Sequence, residues 1–328
     1  MALKATPAPY LRHVERTGSR EWTTVLVLLP LSAFSAVYYG FRPVLLLMAG
    51  IAAANLCELF ACMLMRRRPT LADGSATVTG ALVGLLMSPL SPYWLPVLTA
   101  AFAVLVVKMP FGGRGHEPFH PAAAAIAIIT QCFPTYLFTY PSPGLSQPLP
   151  LGQAAAVATE TSPAALLASG TAPAYTPPAW LLGQIPGPIG ATAAILLLAC
   201  AAVLFLCRVT SPLITLPYLL TCAVFALLFP RVENGGWISI LAELCSGYVL
   251  FAGIFLLPAA TTAPRGWLGR IVYGIGGGLL VMLLRAFGRF EEGACFAILL
   301  MNAFSPVIDR FCWRIVYRIT AGRKGGHA

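Results

Sequence analysis

Apolar residues run along this chain in long blocks rather than alternating with polar ones, and the blocks are separated by turns that hold most of the charge. A helix needs about 20 mostly apolar residues to cross a bilayer. That window predicts ten helices, over residues 22–40, 43–65, 75–90, 92–109, 120–134, 188–207, 212–230, 238–257, 268–285 and 293–308. The third, fifth and tenth are short or interrupted. The expected fold class is all-α, a polytopic membrane protein with some broken or half helices.

The interruptions concentrate between Asp73 and Ala122, in DGSATVTGALVGLLMSPLSPYW and then in FGGRGHEPFHPA. Gly and Pro at membrane depth are tolerated only where protein or a water-filled cavity satisfies the freed backbone groups. Short, interrupted apolar segments also point to a midplane site in transporters. A plain lipid anchor has no use for such a pattern.

Composition agrees: 58% of residues are hydrophobic, 10% are charged, and the mean hydropathy is +0.81. A soluble domain carries roughly 25% charged residues. The net charge of +10 builds no basic face for nucleic acid, because Lys and Arg sit beside the apolar blocks. With ten crossings and a cytoplasmic N-terminus, all but Arg42, Arg231, Arg285 and Arg289 of the 21 basic residues fall on the cytoplasmic side. That bias predicts both termini inside. No cleavable signal peptide is expected, since the basic first 21 residues lead into a full span.

The halves resemble each other. FGGRGHEPFHPAAAAIAIITQCF begins at Phe111 and FGRFEEGACFAILLMNAF at Phe287. Each is Phe-Gly, a charged turn and an apolar helix, and in the ten-span order the two turns lie on opposite sides, as an inverted repeat requires. The expected division is a cytoplasmic segment (1–21), a first repeat (22–134), an external loop (135–187), a second repeat (188–308) and a cytoplasmic amphipathic tail (309–328). The loop lacks Lys and Arg and is rich in Pro, Gly, Ser, Thr and Ala, a composition suited to a poorly ordered connector. Its length argues for a function. The tail alternates Arg with aromatic residues at helical spacing, as a helix lying on an anionic leaflet would.

Two carboxylates lie within predicted spans, Glu58 in ANLCELFACML and Glu243 in SILAELCSGYV. A charge at mid-membrane costs about 2.5–3.5 kcal/mol on insertion scales, so such residues mark ion paths or pair structurally. Both are ion-path candidates. Lys108, at the end of the fourth span, is expected to snorkel to the inner interface. Gly112, Gly113 and Gly115 lack the Lys-Ser/Thr and strand-to-helix context of a phosphate loop, so tight turning explains them. His116 and His120 flank Pro118 and make a poor metal pair. The nine cysteines contain no C-x-x-C and read as small apolar packing. No metal site and no catalytic constellation is expected.

The interrupted stretch, the RRRP before it, and FEEGACFAILLMNAFSPVIDR resemble, in the same order, the signature segments of the RnfD/NqrB family. These are the large membrane subunits of Rnf and Na+-translocating NADH:quinone complexes, and the short N-terminus looks more like RnfD. The resemblance implies ten helices in two inverted repeats, in the bacterial inner membrane, within a multi-subunit ion-translocating oxidoreductase that couples electron transfer between ferredoxin and NAD to Na+ or H+ movement. It also implies FMN, esterified to a Thr in an external S-G-A-T-P-L-like motif preceded by Asp; a non-covalent flavin such as riboflavin is compatible with it. Here the corresponding stretch is A-V-A-T-E-T-S-P-A-A-L-L, which puts Ser162 at the attachment position beside Thr161. Thr159, Glu160 and Thr161 replace Ser, Gly and Ala, and Ala156 stands where Asp is expected. In a further departure, Ala259 replaces the Asp of a second family turn. The rival readings are a flavin-less scaffold or ion-path subunit, and a small-solute channel or transporter. An intact external loop separates them, since only a flavin carrier needs it.

Overall fold

The computed structural model describes residues 17–67, 70–142, 158–171, 173–231, 236–288 and 292–325. Four helices are long and apolar enough to cross a membrane unaided: α1 (Thr17–Tyr39), α2 (Arg42–Leu64), and, late in the chain, α13 (Trp267–Phe287) and α14 (Ala294–Gly325). Between them stand α3 (Ser75–Leu85), α4 (Trp94–Phe102) running on as a π-helix over Ala103–Lys108, α5 (Pro121–Cys132), α6 (Pro134–Leu137), α7 (Pro163–Ala168) and α8 (Pro177–Leu182). Then follow α9 (Ala194–Leu206), α10 (Pro212–Leu228), α11 (Trp237–Cys245), and α12 (Val249–Phe251), which continues as a π-helix over Ala252–Leu256. The fold is an all-α, multi-pass membrane architecture; among the described residues the one sheet is the pairing of β1 (Tyr140–Pro141) with β2 (Thr159–Glu160).

All ten predicted segments are helical, but they are not ten full spans. At 1.5 Å per residue, the 11 residues of α3 and the 12 of α5 cover about half of a ~30 Å hydrocarbon core. The eighth segment bends by 73° between Cys245 and Val249, where Ser246 and Gly247 (φ +60°) interrupt it. The tenth, expected to be short, continues through the tail as one helix of 32 residues. No Gly or Pro stands between Pro306 and Gly322 to stop it.

Half helices expose unsatisfied backbone at membrane depth, and the chain fills those needs from within. The C-terminal carbonyls of α3 receive Gly190 N–H on Leu85 O at 2.7 Å and Ile189 N–H on Met87 O at 3.0 Å. Tyr248, at the bend, donates its hydroxyl to Leu86 O at 2.9 Å. Buried Arg42 donates to Pro89 O and Ser91 O at 3.1 and 3.2 Å. The chain just before α9 is therefore a plug under α3: residues 185–193, which straddle the end of the expected loop and the start of the sixth predicted segment, are buried throughout.

Glycine permits the close crossings that hold α3. A Cβ on Gly80 would lie 2.6 Å from Gly50 O on α2, and one on Gly84 would lie 2.8 Å from Leu47 Cα. The second half repeats the device at another crossing, with Gly274 and Gly278 of α13 against backbone oxygens of α10. Small residues of this kind are how membrane helices approach closely. The starts of α1 and α13 share a pocket through Arg20 and Arg265, and Trp267 and Trp313 share another, so exposed Trp22, Trp267 and Trp313 mark one face of the bundle, and the far end of α10, beside Arg231, the other; Trp at such a face matches the aromatic belt of a bilayer interface. We call them the N-terminal face and the loop face.

Two buried ion-pair clusters on opposite faces

Beneath the N-terminal face, Lys108 closes the π-helix that ends the fourth segment. Its ammonium donates to Ser75 Oγ at 2.7 Å and pairs with Glu58 Oε2 at 3.2 Å. The expectation that Lys108 snorkels is corrected: its side chain is 1% exposed and that of Glu58 2%. A carboxylate already buried on α2 draws the ammonium inward, because a buried charge without a partner is far more costly than a paired one. Thr70 donates its hydroxyl to the other Glu58 oxygen. Ser75 is placed by Gly74, whose φ of +75° starts α3.

A cavity of about 180 Å³ reaches Ser75 from the N-terminal face; Glu21, Arg114, Glu117 and His120 are among its walls. Arg114 clamps the Gly-rich turn to the bundle through Glu21 at 3.3 Å and Asp73 at 3.5 Å. Gly112, Gly113 and Gly115 have φ of +113°, +84° and +84°, the left-handed backbone that glycine adopts without steric penalty. His120 caps α5, its Nδ1 accepting from Ala123 N–H at 3.3 Å. Burial pushes the Glu117 carboxyl up to about 7, against the pull of Lys108.

Beneath the loop face lies a second cluster. Arg285, near the end of α13, donates Nη2 to Ser246 Oγ at 2.7 Å and Nη1 to Glu243 O at 3.0 Å. The Glu243 carboxylate stands 3.6 Å from Arg285 Nη1 and 3.3 Å from Arg231 Nε. Arg285 and Glu243 side chains are each 2% exposed. Glu292 completes the site by accepting Tyr248 N–H at 3.1 Å, across the bend. A Cβ on Gly247 would overlap Glu292 Oε1. A cavity of about 480 Å³ opens beside Arg231 and Arg285, with Leu167, Phe225 and Phe229 among its walls.

The clusters correspond. In each, a cation shortly before a Phe-Gly turn meets a serine at the start or break of a half helix, and a carboxylate from a neighbouring helix. Helix α10 has its start in a pocket with Arg20, Pro258 and Arg265 and its end beside Arg231, and its 17 residues span about 26 Å. The two sites thus lie toward opposite faces.

Both carboxylates singled out from sequence, Glu58 and Glu243, are brought against cations. Lys108, Arg285, Ser75, Ser246 and Glu292 complete the sites and were missed as members. A signal existed: Lys108 and Arg285 each sit at the polar end of an apolar block just before the repeated Phe-Gly.

Ser162 lies elsewhere, in front of α7, with its Oγ accepting Ala165 N–H at 3.1 Å and the residue 4% exposed. Thr161 beside it is exposed, as are Thr159 and Glu160; Ala156 lies outside the described residues. The fit to a covalent flavin is poor here, because the hydroxyl that would carry the phosphoester is buried in a helix cap. Among the described residues no group of three or more His, Cys, Asp or Glu side chains could hold a metal.

A family model described as the NQR2, RnfD, RnfE family matches residues 4–318. The chain is similar to the D subunit of the Na(+)-translocating ferredoxin:NAD(+) oxidoreductase complex of Acetobacterium woodii, at 30% identity over 99% of this chain and 98% of the relative. It is 32% identical to the D subunit of the ion-translocating oxidoreductase complex of Stutzerimonas stutzeri over 88% of each. It is 27% identical to the D subunit of the proton-translocating ferredoxin:NAD(+) oxidoreductase complex of Clostridium ljungdahlii, over 93% of this chain and 92% of the relative.

Proposed function

The chain belongs to the NQR2, RnfD, RnfE family, and on that premise we propose that it is the D-type membrane subunit of an Rnf-type complex, coupling electron transfer between ferredoxin and NAD to the movement of Na+ or H+. It works with the other subunits and is not catalytic alone. It sits in the bacterial inner membrane with both termini in the cytoplasm, so that the N-terminal face is the inner one. The distribution of Lys and Arg supports that orientation.

The observation that carries an ion-moving role is the pair of buried cation–carboxylate clusters, each under a cavity and facing opposite ways. Charged groups at membrane depth are costly and mark pathways, and half helices around a midplane are how secondary transporters build ion sites. Glu58 and Glu243 are the path carboxylates in this reading. A complex reconstituted in vesicles with Glu58→Gln should keep ferredoxin-dependent NAD reduction while losing most of its ion accumulation. Undiminished ion accumulation per electron would remove Glu58 from the path.

For the flavin, we favour a subunit without FMN on Ser162. The buried helix-capping hydroxyl and the neighbouring Glu160 carboxylate support that form, in which electrons pass through other subunits and this one supplies the ion path. Ultraviolet fluorescence of the denatured, gel-separated chain, co-expressed with a flavin transferase, decides it. A dark band is expected; a fluorescent band lost on Ser162→Ala would overturn this choice.

A further inference from the structure

The two clusters share a plan but hold different cations, and the difference has a physical consequence. Arg285 is a planar fork engaged with the Ser246 hydroxyl and the Glu243 carbonyl as well as the Glu243 carboxylate. Such a group is geometrically committed and keeps its charge. Lys108 is a point charge on a flexible stem, held by one hydroxyl and one carboxylate oxygen. The oxygens that hold it, from Glu58 and Ser75, with Thr70 on the far side of the carboxylate, are hard donors of the kind that suit an alkali or alkaline-earth cation.

Two more features bear on Lys108. Ser75, to whose hydroxyl the ammonium donates, is one of the walls of the cavity on the N-terminal face, so a small cation in that cavity comes up against the residue that holds Lys108. Lys108 also terminates a π-helix, Ala103–Lys108, whose bonding pattern persists in Met109 N–H to Val104 O at 2.9 Å. Such segments are rare and cluster at functional sites. Taking up or releasing one residue there turns everything beyond it by roughly 100°, the angle per residue of an α-helix. That is enough to carry the Lys108 side chain off Glu58.

We propose that Lys108 is a tethered stand-in for a mobile monovalent cation, and that the Glu58–Ser75 oxygen cradle binds that cation from the inner cavity when the ammonium leaves. The exchange replaces one positive charge by another and leaves the buried site neutral. It rests on the ion-moving reading for its purpose, while the binding itself is tested without transport. Glu21, Asp73, Arg114, Glu117, Arg20 and His120 surround the approach and set its local field.

The test uses the purified intact complex carrying Lys108→Ala, with Na+ exchanged for choline at constant ionic strength and pH varied independently. Removing the ammonium leaves the cradle to an external cation. The variant should gain several degrees of melting temperature with Na+, to which the wild-type complex does not respond, or, if the proton is the occupant, should gain several degrees more than the wild type on lowering the pH. The same response should vanish in Lys108→Ala/Glu58→Gln, which removes both charges. A Lys108→Ala complex that gains nothing from Na+ and no more than the wild type from lower pH overturns the proposal. So does a single variant that cannot assemble in any condition while the double variant assembles, since the ammonium is then structural only. If cation binding is found but Glu58→Gln leaves ion accumulation intact, the site stands and the transport reading falls.

Discussion

Arg285 offers the sharpest test of the cluster beneath the loop face. Replacement by Met keeps much of the stem's apolar bulk but deletes the guanidinium, removing the donors to Ser246 Oγ at 2.7 Å and to the Glu243 carbonyl at 3.0 Å, which then keeps only the Ser246 hydroxyl at 3.3 Å. Breaking a buried ion pair from one side costs about 3–5 kcal/mol. Arg231 still stands 3.3 Å from the Glu243 carboxylate and is itself partly solvated, so the expected loss lies at the low end, about 3 kcal/mol. Arg285→Lys restores charge without the fork and should recover about half, since hydrogen bonds to charged groups are worth roughly 1.5–3 kcal/mol each. Thermal dissociation of the purified complex, followed by size-exclusion chromatography after stepped heating, measures both. A cycle with Glu243→Gln isolates the pair, because residues in contact show coupling of about 0.5–3 kcal/mol. Additive losses in that cycle would refute the reasoning, for they would mean that the two side chains are solvated separately and form no buried unit.

Other substitutions read other parts of the fold. Gly80→Val drives a side chain into Gly50 O and Ile51 Cα at 2.6 and 2.7 Å; backbone cannot yield as a rotamer would, so a loss of at least about 3 kcal/mol and a drop in assembled complex are expected. Gly247→Ala should cost about 1–2 kcal/mol for the left-handed conformation alone and further displace Glu292 from Tyr248 N–H. Amide exchange at Tyr248 should then accelerate. Glu117 titrates near 7 rather than the ordinary 4.5 because burial favours its neutral form. Its folded pKa is raised, so its contribution to stability is full below pH 4.5 and is lost as pH rises to 7. Glu117→Gln should flatten the pH dependence of thermal stability across that window. Above pH 7 it should exceed wild type by roughly 1–2 kcal/mol, from 1.36 kcal/mol per unit discounted for the solvent in the cavity.

The apolar blocks made every membrane segment legible, because burial in lipid is written in composition and length. Which segments stop halfway was only partly legible. DGSATVTGALVGLLMSP carries its own breakers, whereas the 73° bend at Ser246–Gly247 sits in a run that reads as one span. Glu58 and Glu243 stood out because carboxylates are rare in such blocks. Their partners did not, since Lys108 and Arg285 lie at block ends, where snorkelling is the ordinary explanation, and only the three-dimensional crossing of α2 with the fourth segment turns Lys108 inward. The loop was least legible of all. Its Pro- and Ala-rich composition says connector, and where it ends was misplaced: Ile189 and Gly190, at the start of the sixth predicted segment, are not yet helical and donate to the carbonyls at the end of α3, a role that depends on where α3 ends and not on local composition.

A buried ion pair is weak evidence of stability, since apolar residues of similar size often hold a core as well or better by about 1–4 kcal/mol. This chain carries two such pairs at corresponding places, in a bilayer where each charge is costlier still to insert. It also places one at the start of a half helix and the other at a helix break, where backbone groups already need partners. Three local liabilities are thus gathered at one spot on each face: a charge pair, a helix break and a cavity. Stability alone disfavours that coincidence, because separating them would let each be satisfied more easily. A path that must let a small cation approach buried oxygens requires all three together, and the coincidence on both faces is therefore the strongest structural argument that ions, and not only lipids and neighbouring subunits, meet this protein.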